Sequence, residues 1–300
     1  GCKRCSKILN IALTHRGKLG NTPVPMAGIP HHAANNYIDK LSEAGRRVAV
    51  CEQVQNPKDA VGIVKRAVTQ VVSPGLPYDL SKVSDEDTFF IAAVFKKNNL
   101  FYITLLDYST GDFIGHVEHS EEAVIDLLSK IRIKELVSYP SQWGEESQVN
   151  EYLEQSSVLK SNIAKEYFNP KNNKDVLEQF IPNFQHDQVI KDNAPILWST
   201  SALTSFIQLT QKPDKVRHIK PFRVIEKNNN LYISSKSLYG LEILPSRGRS
   251  DNFSLYDFIK KTKTPMGARL LKSFFFQALT NKDEIILRQN VIHHLVQHFS

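Results

Sequence analysis

The residues of this 300-residue chain predict an α/β protein that closes in an all-α segment. Three observations carry that reading. Apolar residues recur first at helical and then at strand spacing through the first 75 positions. Three runs of strand-forming residues, "TFFIAAVF", "LFYITLLD" and "FIGHVE", come next between 88 and 118, separated only by turn residues. From 254 onward, capped helical patterns succeed one another. The corresponding domains are 1–80, 85–205 and 206–300.

The first domain reads helix, loop, helix, strand, loop, strand. Its opening helix carries Cys5, Ile8, Leu9, Ala12 and Leu13 on one face and ends with the basic His15 and Arg16 before Gly17. Pro25, Gly28 and Pro30 stiffen the next loop, and Pro30 suits the first turn of a helix. Ala34, Tyr37, Ile38 and Leu41 give that helix its apolar stripe, and Gly45 stops it. "VAVCEQV" alternates as a strand, with Cys51 expected as a small buried thiol. "VKRAVTQVV" is a second strand ending at Ser73-Pro74-Gly75, with Arg66 and Gln70 on one face.

In the second domain the three strands form an antiparallel meander. Ser120 caps a helix with Glu121 and Glu122 in its first turn and Val124, Leu127, Leu128 and Ile131 along one face. A short strand, "ELVSYP", comes after it. This β-β-β-α-β order opens a ribonuclease-H-like layout. Nucleases of that layout hold divalent metals through carboxylates on strands and helix. Here Asp107 and Asp112 flank a turn and Glu122 opens a helix, so no metal site and no catalytic residue is expected. Residues 194–209 form a clear helix. In the third domain Ser254 caps a helix over 255–261, and another starts at Pro265. The last helical pattern reaches residue 300 with no stop signal, as a fragment would.

Composition narrows the class. Hydrophobic residues make up 41% and charged residues 23%, an ordinary soluble balance. No run approaches the ~20 apolar residues of a membrane span. With no signal peptide and 3 cysteines, a reducing, cytoplasmic setting is expected. Cys2-x-x-Cys5 lacks the second ligand pair of a structural zinc site. His31 and His32 are adjacent and diverge by about 100° on a helix. Gly17-Lys18 is followed by Leu19 and has no phosphate-loop spacing. Charge is segregated: residues 1–75 carry 11 Lys/Arg against 4 Asp/Glu, residues 76–200 carry 11 against 20, and residues 201–300 carry 16 against 7. A polyanion would favour the two basic ends and avoid the middle.

Three stretches agree with one family. "ALTHRGKLGNTPVPMAGIPHHAANNYIDKLSEAGRRVAVCEQV" followed by "VVSPG" resembles the mismatch-binding domain of the MutS family of DNA mismatch-repair proteins. "YITLLDYSTGDF" resembles its connector domain, and "LYISSKSLYGLEI" with "TKTPMGARLLKSFFFQAL" resembles the start of its core, or lever, domain. The resemblance implies a mixed-sheet mismatch-binding domain, a ribonuclease-H-like connector and an incomplete helical lever. It implies double-stranded DNA with mispairs or small loops as partner, coupling to a MutL-type matchmaker through the connector, and a homodimeric parent. ATP and Mg would belong to the parent's ATPase domain, and no cofactor to this chain. The family's Phe-x-Glu reading segment is expected just upstream of Gly1.

The residues depart from the family in places. His31 stands where an aromatic is usual, and Gln70 where an arginine is frequent. Ser234 and Gly240 stand where Asp and Asn are usual. On this reading the DNA-binding candidates are Arg16, Lys18, Met26, Arg66 and Gln70. Two rival readings remain: a ribonuclease-H-like metal-dependent nuclease, and an interaction module without a DNA role.

Overall fold

The computed structural model describes residues 2–56, 62–79, 90–212, 216–225, 230–245 and 254–299. The expected linker at 80–85, the first two residues of the meander (88–89) and the loop at 246–252 lie outside them. Two compact units emerge. One holds residues 1–83, 88–124 and 133–224; the other holds 84–87, 125–132 and 225–300.

The first unit begins with helix α1 (Cys2–Leu9), shorter than expected. Asn10 takes φ 52°, and the Ile11 N–H bonds the Ser6 carbonyl at 3.1 Å, a Schellman stop that ends the helix there. His15, Arg16 and Gly17 therefore leave the helix and enter strand β1 (Thr14–Leu19), which pairs antiparallel with β2 (Thr22–Met26). Pro30 precedes the helix rather than starting it: a 3-10 turn over His31–Ala33 intervenes before α2 (Ala34–Glu43). Ile38 and Leu41 are buried, and α1 packs against α2. Gly45 stops α2 with φ 72°, and the Arg46 N–H closes back on the Leu41 carbonyl at 2.9 Å.

Strands β3 (Val48–Gln53) and β4 (Arg66–Val72) form a second antiparallel ribbon. Cys51 is exposed, contrary to expectation, because no second layer among the described residues covers its face of the ribbon. Among the described residues, strands before residue 80 pair only within these two ribbons, so the six-stranded mixed sheet is built entirely from residues 90–224.

That sheet contains β5 (Phe90–Lys97), β6 (Leu100–Asp107) and β7 (Phe113–Glu118) as an antiparallel meander. Helix α3 (Glu121–Ile131) comes next, its Ala123 N–H capped by Ser120 at 3.1 Å. Strand β8 (Glu135–Ser138) then lies parallel to β5. Helix α4 (Gln148–Gln155) leads to β9 (Leu159–Asn162), parallel to β8. Helices α5 (Lys174–Phe180), α6 (Gln188–Asp192) and α7 (Ile196–Thr210) continue the chain. A two-residue strand, β10 (Arg223–Val224), pairs with β7. The order β10-β7-β6-β5-β8-β9 is a ribonuclease-H-like sheet with one short edge strand added.

Helix α7 crosses this sheet and is buried over most of its length. Its small hydroxyl residues allow close approach. Thr104 on β6 meets Ser199 and Thr200 at 2.9 Å each, and Ser199 and Thr200 also donate to the Ile196 carbonyl. The expected boundary at 205/206 cuts this helix; the packing of α7 and β10 carries the unit on to Val224.

The end of the first expected domain is likewise built into this core. Leu76 is fully buried beside Ile91 and Leu106. A Cβ on Gly75 would lie 2.6 Å from Ile91 Cγ1 and 3.1 Å from Glu135 Cβ. Gly75→Ala is therefore expected to cost about 2 kcal/mol through overpacking. Urea unfolding of the two chains measures it; a loss below about 0.5 kcal/mol would mean that the turn shifts without strain.

The second unit takes the last turns of α3 together with α8 (Ser235–Gly240), α9 (Leu255–Ile259), α10 (Pro265–Phe276) and α11 (Lys282–Phe299). Ser234, Ser254 and Thr264 cap α8, α9 and α10 with their side-chain oxygens, and Pro265 sits in the first turn of α10. At 234, Ser performs the capping that Asp would. Leu238, Leu244 and Tyr256 form a small core. Asp126 accepts the Ser235 N–H at 2.6 Å and the Tyr232 hydroxyl at 3.1 Å. The Arg132 guanidinium lies 4.1 Å from the Tyr239 ring centre.

Candidate nucleic-acid interface

The first ribbon, β1–β2, is the most exposed element of the N-terminal part. Every residue of β1 is exposed, and Leu19 keeps 81% of its surface. Its register is broken by a bulge. His15 faces Pro25 and Lys18 faces Pro23, so Arg16 and Gly17 together oppose Val24. Cross-strand partners share a face, so His15 and Lys18 lie with the prolines and Arg16 on the other face. Prolines 23 and 25 lack the N–H groups needed to recruit another strand, which keeps the ribbon two-stranded. The Thr14 hydroxyl donates to the Met26 carbonyl at 3.0 Å and closes the open end. Met26 is 37% exposed at that end.

The ribbon thus gathers Arg16, Lys18 and Met26, and adds His15, which the sequence suggests only as a helix end. The "LGN" turn at Gly20-Asn21 is the hairpin signal that could have found it. Arg66 opens β4 in the other ribbon, exposed and opposite Gln53. Among the described residues the ion pairs are Lys212–Glu52 at 3.3 Å and Lys220–Asp112 at 2.8 Å, and Arg16, Lys18 and Arg66 take part in neither. The Glu52 carboxyl is held below the usual carboxylate range by a hydrogen bond from Thr69 and by Lys212.

Gln70 is different. It is 7% exposed, and its Nε2 donates to Gln211 Oε1 at 3.2 Å. Gln211 caps the end of α7; its Nε2 donates to the Val71 carbonyl at 2.8 Å, and its Oε1 also accepts the Tyr108 hydroxyl at 3.2 Å. Gln70 therefore faces an interior polar cluster. A second bulge, between Val50 and Cys51, inserts Thr69 into β4, and the strand goes from exposed at Arg66 to buried at Gln70. Their partners on β3, Gln53 and Val50, lie on opposite faces, so the bulge sets Arg66 and Gln70 on opposite faces of the ribbon instead of the one face expected.

A second buried cluster went unread in the sequence. Glu135, fully buried at the start of β8, accepts hydrogen bonds from the Ser73 and Ser161 hydroxyls. Burial pushes its carboxyl above the usual range, against the pull of Ser161, Ser73, Arg47 and the Gly75 N–H. The cluster ties the Ser73-Pro74-Gly75 turn to the sheet.

Two of the three carboxylates weighed for metal binding are otherwise engaged. Asp107 accepts from the Ser109 N–H at 3.0 Å, the Ser109 hydroxyl at 2.7 Å and the Thr110 hydroxyl at 2.9 Å. Asp112 pairs with Lys220. Among the described residues, no group of three or more His, Cys, Asp or Glu is placed to hold a metal. Among them, too, no helix is long and apolar enough to cross a membrane.

A ribonuclease-H-like sheet, a projecting basic ribbon and a helical C-terminal unit define a modular α/β chain with a surface suited to a polyanion. Family models match it almost throughout: MutS domain I over residues 2–80, MutS domain II over 89–220 and MutS domain III over 236–300. The chain belongs to the MutS family. It is 33% identical over 305 residues to the DNA mismatch repair protein MutS of Petrotoga mobilis, covering 98% of this chain and 35% of that protein. It is 33% identical to that of Thermotoga neapolitana, covering 98% and 34%, and 31% identical to that of Lactococcus lactis, covering 98% and 33%. The chain spans about a third of the length of these relatives.

Proposed function

We propose that this chain grips double-stranded DNA as part of mismatch recognition in mismatch repair. The observation that carries the reading is the exposed β1–β2 ribbon, which presents Arg16 and Lys18 without anionic partners among the described residues. Backbone phosphates are the main target of such cations and fix register without reading sequence. Met26, at the ribbon's open end, reaches sugar or the groove wall, and Arg66 adds a phosphate contact from the second ribbon. Gln70 contributes to the fold beneath them.

The resemblance to MutS extends the proposal to the whole protein. Its substrate is DNA with mispairs or small loops, its connector couples to a MutL-type matchmaker, and it works as a homodimer in the bacterial cytoplasm. ATP and Mg serve the part of the relatives' length that this chain does not match. This chain supplies binding and coupling but no turnover. The engagement of Asp107 by Ser109 and Thr110 argues against the nuclease alternative.

The test is a titration of labelled duplex, with and without a G·T mispair, at several salt concentrations. Replacing Arg16 and Lys18 together by Ala should reduce the slope of log affinity against log salt by roughly 2, about 0.9 per lost phosphate contact. Lys174→Ala, on α5, should leave the slope unchanged. An unchanged slope in the double variant would remove the ribbon from the interface. Magnesium-dependent cleavage of the duplex would favour the nuclease reading.

A further inference from the structure

We propose that His294 and His298 on α11 form a binding site for a first-row divalent transition-metal ion such as Ni²⁺ or Zn²⁺. The two imidazoles stand one helical turn apart, with ring centres 4.3 Å from each other and planes 49° apart. Both side chains are exposed.

Spacing i, i+4 places two side chains on one helical face, the arrangement by which helical histidine pairs share a zinc ion. An imidazole nitrogen binds Zn²⁺ at about 2.0–2.1 Å, which puts each ring centre roughly 3.2 Å from the ion. Two such rings at 90–110° around one ion have centres about 4.5–5.2 Å apart. The observed 4.3 Å is short of that by a small rotation of exposed side chains.

Imidazole suits nickel, copper and zinc and is a poor ligand for magnesium or calcium, so the site selects the transition series. Water would complete the coordination shell, so the ion would be exchangeable and would brace the last turns of α11. The adjacent histidine pairs lack this geometry. His31 and His32 are adjacent, and His293 points about 100° away from His294.

The test is calorimetric titration of this chain with NiCl₂. One saturable equivalent is expected. His294→Ala and His298→Ala should each weaken it at least tenfold, while His293→Ala stays within twofold of the parent. Helical circular dichroism of the variants should match the parent, since both residues are exposed. The equivalent should survive in Cys2→Ser/Cys5→Ser, which separates it from thiol binding. Absence of a saturable equivalent would overturn the proposal. So would an effect of His293→Ala as large as that of His294→Ala, or retained binding in both His294→Ala and His298→Ala.

Discussion

Gln211→Met should lower the stability of the first unit by about 3 kcal/mol. Methionine keeps the length of the side chain and fills nearly the same space, so no large cavity contributes. What is lost is a buried junction. The Val71 carbonyl and the Gln70 amide each lose a hydrogen bond, and the Tyr108 hydroxyl loses an acceptor. A buried polar group left without its partner costs about 1–3 kcal/mol, far more than the net gain from making the bond. Gln211→Glu is a useful companion. It keeps the acceptor for Gln70 and Tyr108 but sets an oxygen against the Val71 carbonyl. Urea unfolding followed by circular dichroism gives the difference. A loss under about 0.5 kcal/mol in Gln211→Met would mean that water replaces the side chain's bonds and that the cluster does not hold β4 to α7.

The stability of the same unit should fall as pH rises through the window that opens at the ordinary carboxylate value, and Glu135 should be a main cause. Burial raises its folded-state pKa above the ordinary glutamate value of 4.5. The folded chain therefore keeps a proton that the unfolded chain has already released. Between the two values the unfolded state binds fewer protons, so the free energy of unfolding declines with increasing pH. The contribution is fully favourable below the unfolded value and is exhausted above the raised folded one. Glu135→Gln removes the ionisation while an amide can still bond Ser73 and Ser161. Its stability curve should be flatter on the alkaline side of pH 4.5, the ordinary glutamate value, with the gain over the parent growing as pH rises. Parallel curves for the two chains, measured by thermal unfolding across that range, would show that Glu135 titrates alike in both states. Glu135→Ala should be the most damaging change at this site, since both serine hydroxyls lose their acceptor in a fully buried place.

These clusters mark the edge of what residue patterns disclose. The meander, its turns, the Ser120 cap and the helices at α7 and α10 are local in origin. Each is set by apolar period, capping oxygens and turn residues within a few positions of one another. Gly45 and Pro265 likewise announce a helix end and a helix start on their own. The sequence also disclosed the family, because its motifs keep their order along nearly the whole chain.

The rest was decided by a local turn that no glycine announces and, beyond it, by tertiary structure. Asn10, rather than a glycine, stopped α1 and released His15, Arg16 and Lys18 into a ribbon, so the cations stand on opposite faces of a projecting hairpin. Cys51 is exposed because burial depends on a second layer, which alternation along a strand cannot specify. Gln70 is interior because Gln211, 141 positions away, supplies its partner. Glu135 reads in the sequence as the polar start of a short strand; Ser73 and Ser161, each distant along the chain, make it a buried anchor. For Gln70 and Glu135 the deciding atom comes from a remote part of the chain. Local propensity carries no information about it, whereas a buried polar group must find it to remain buried.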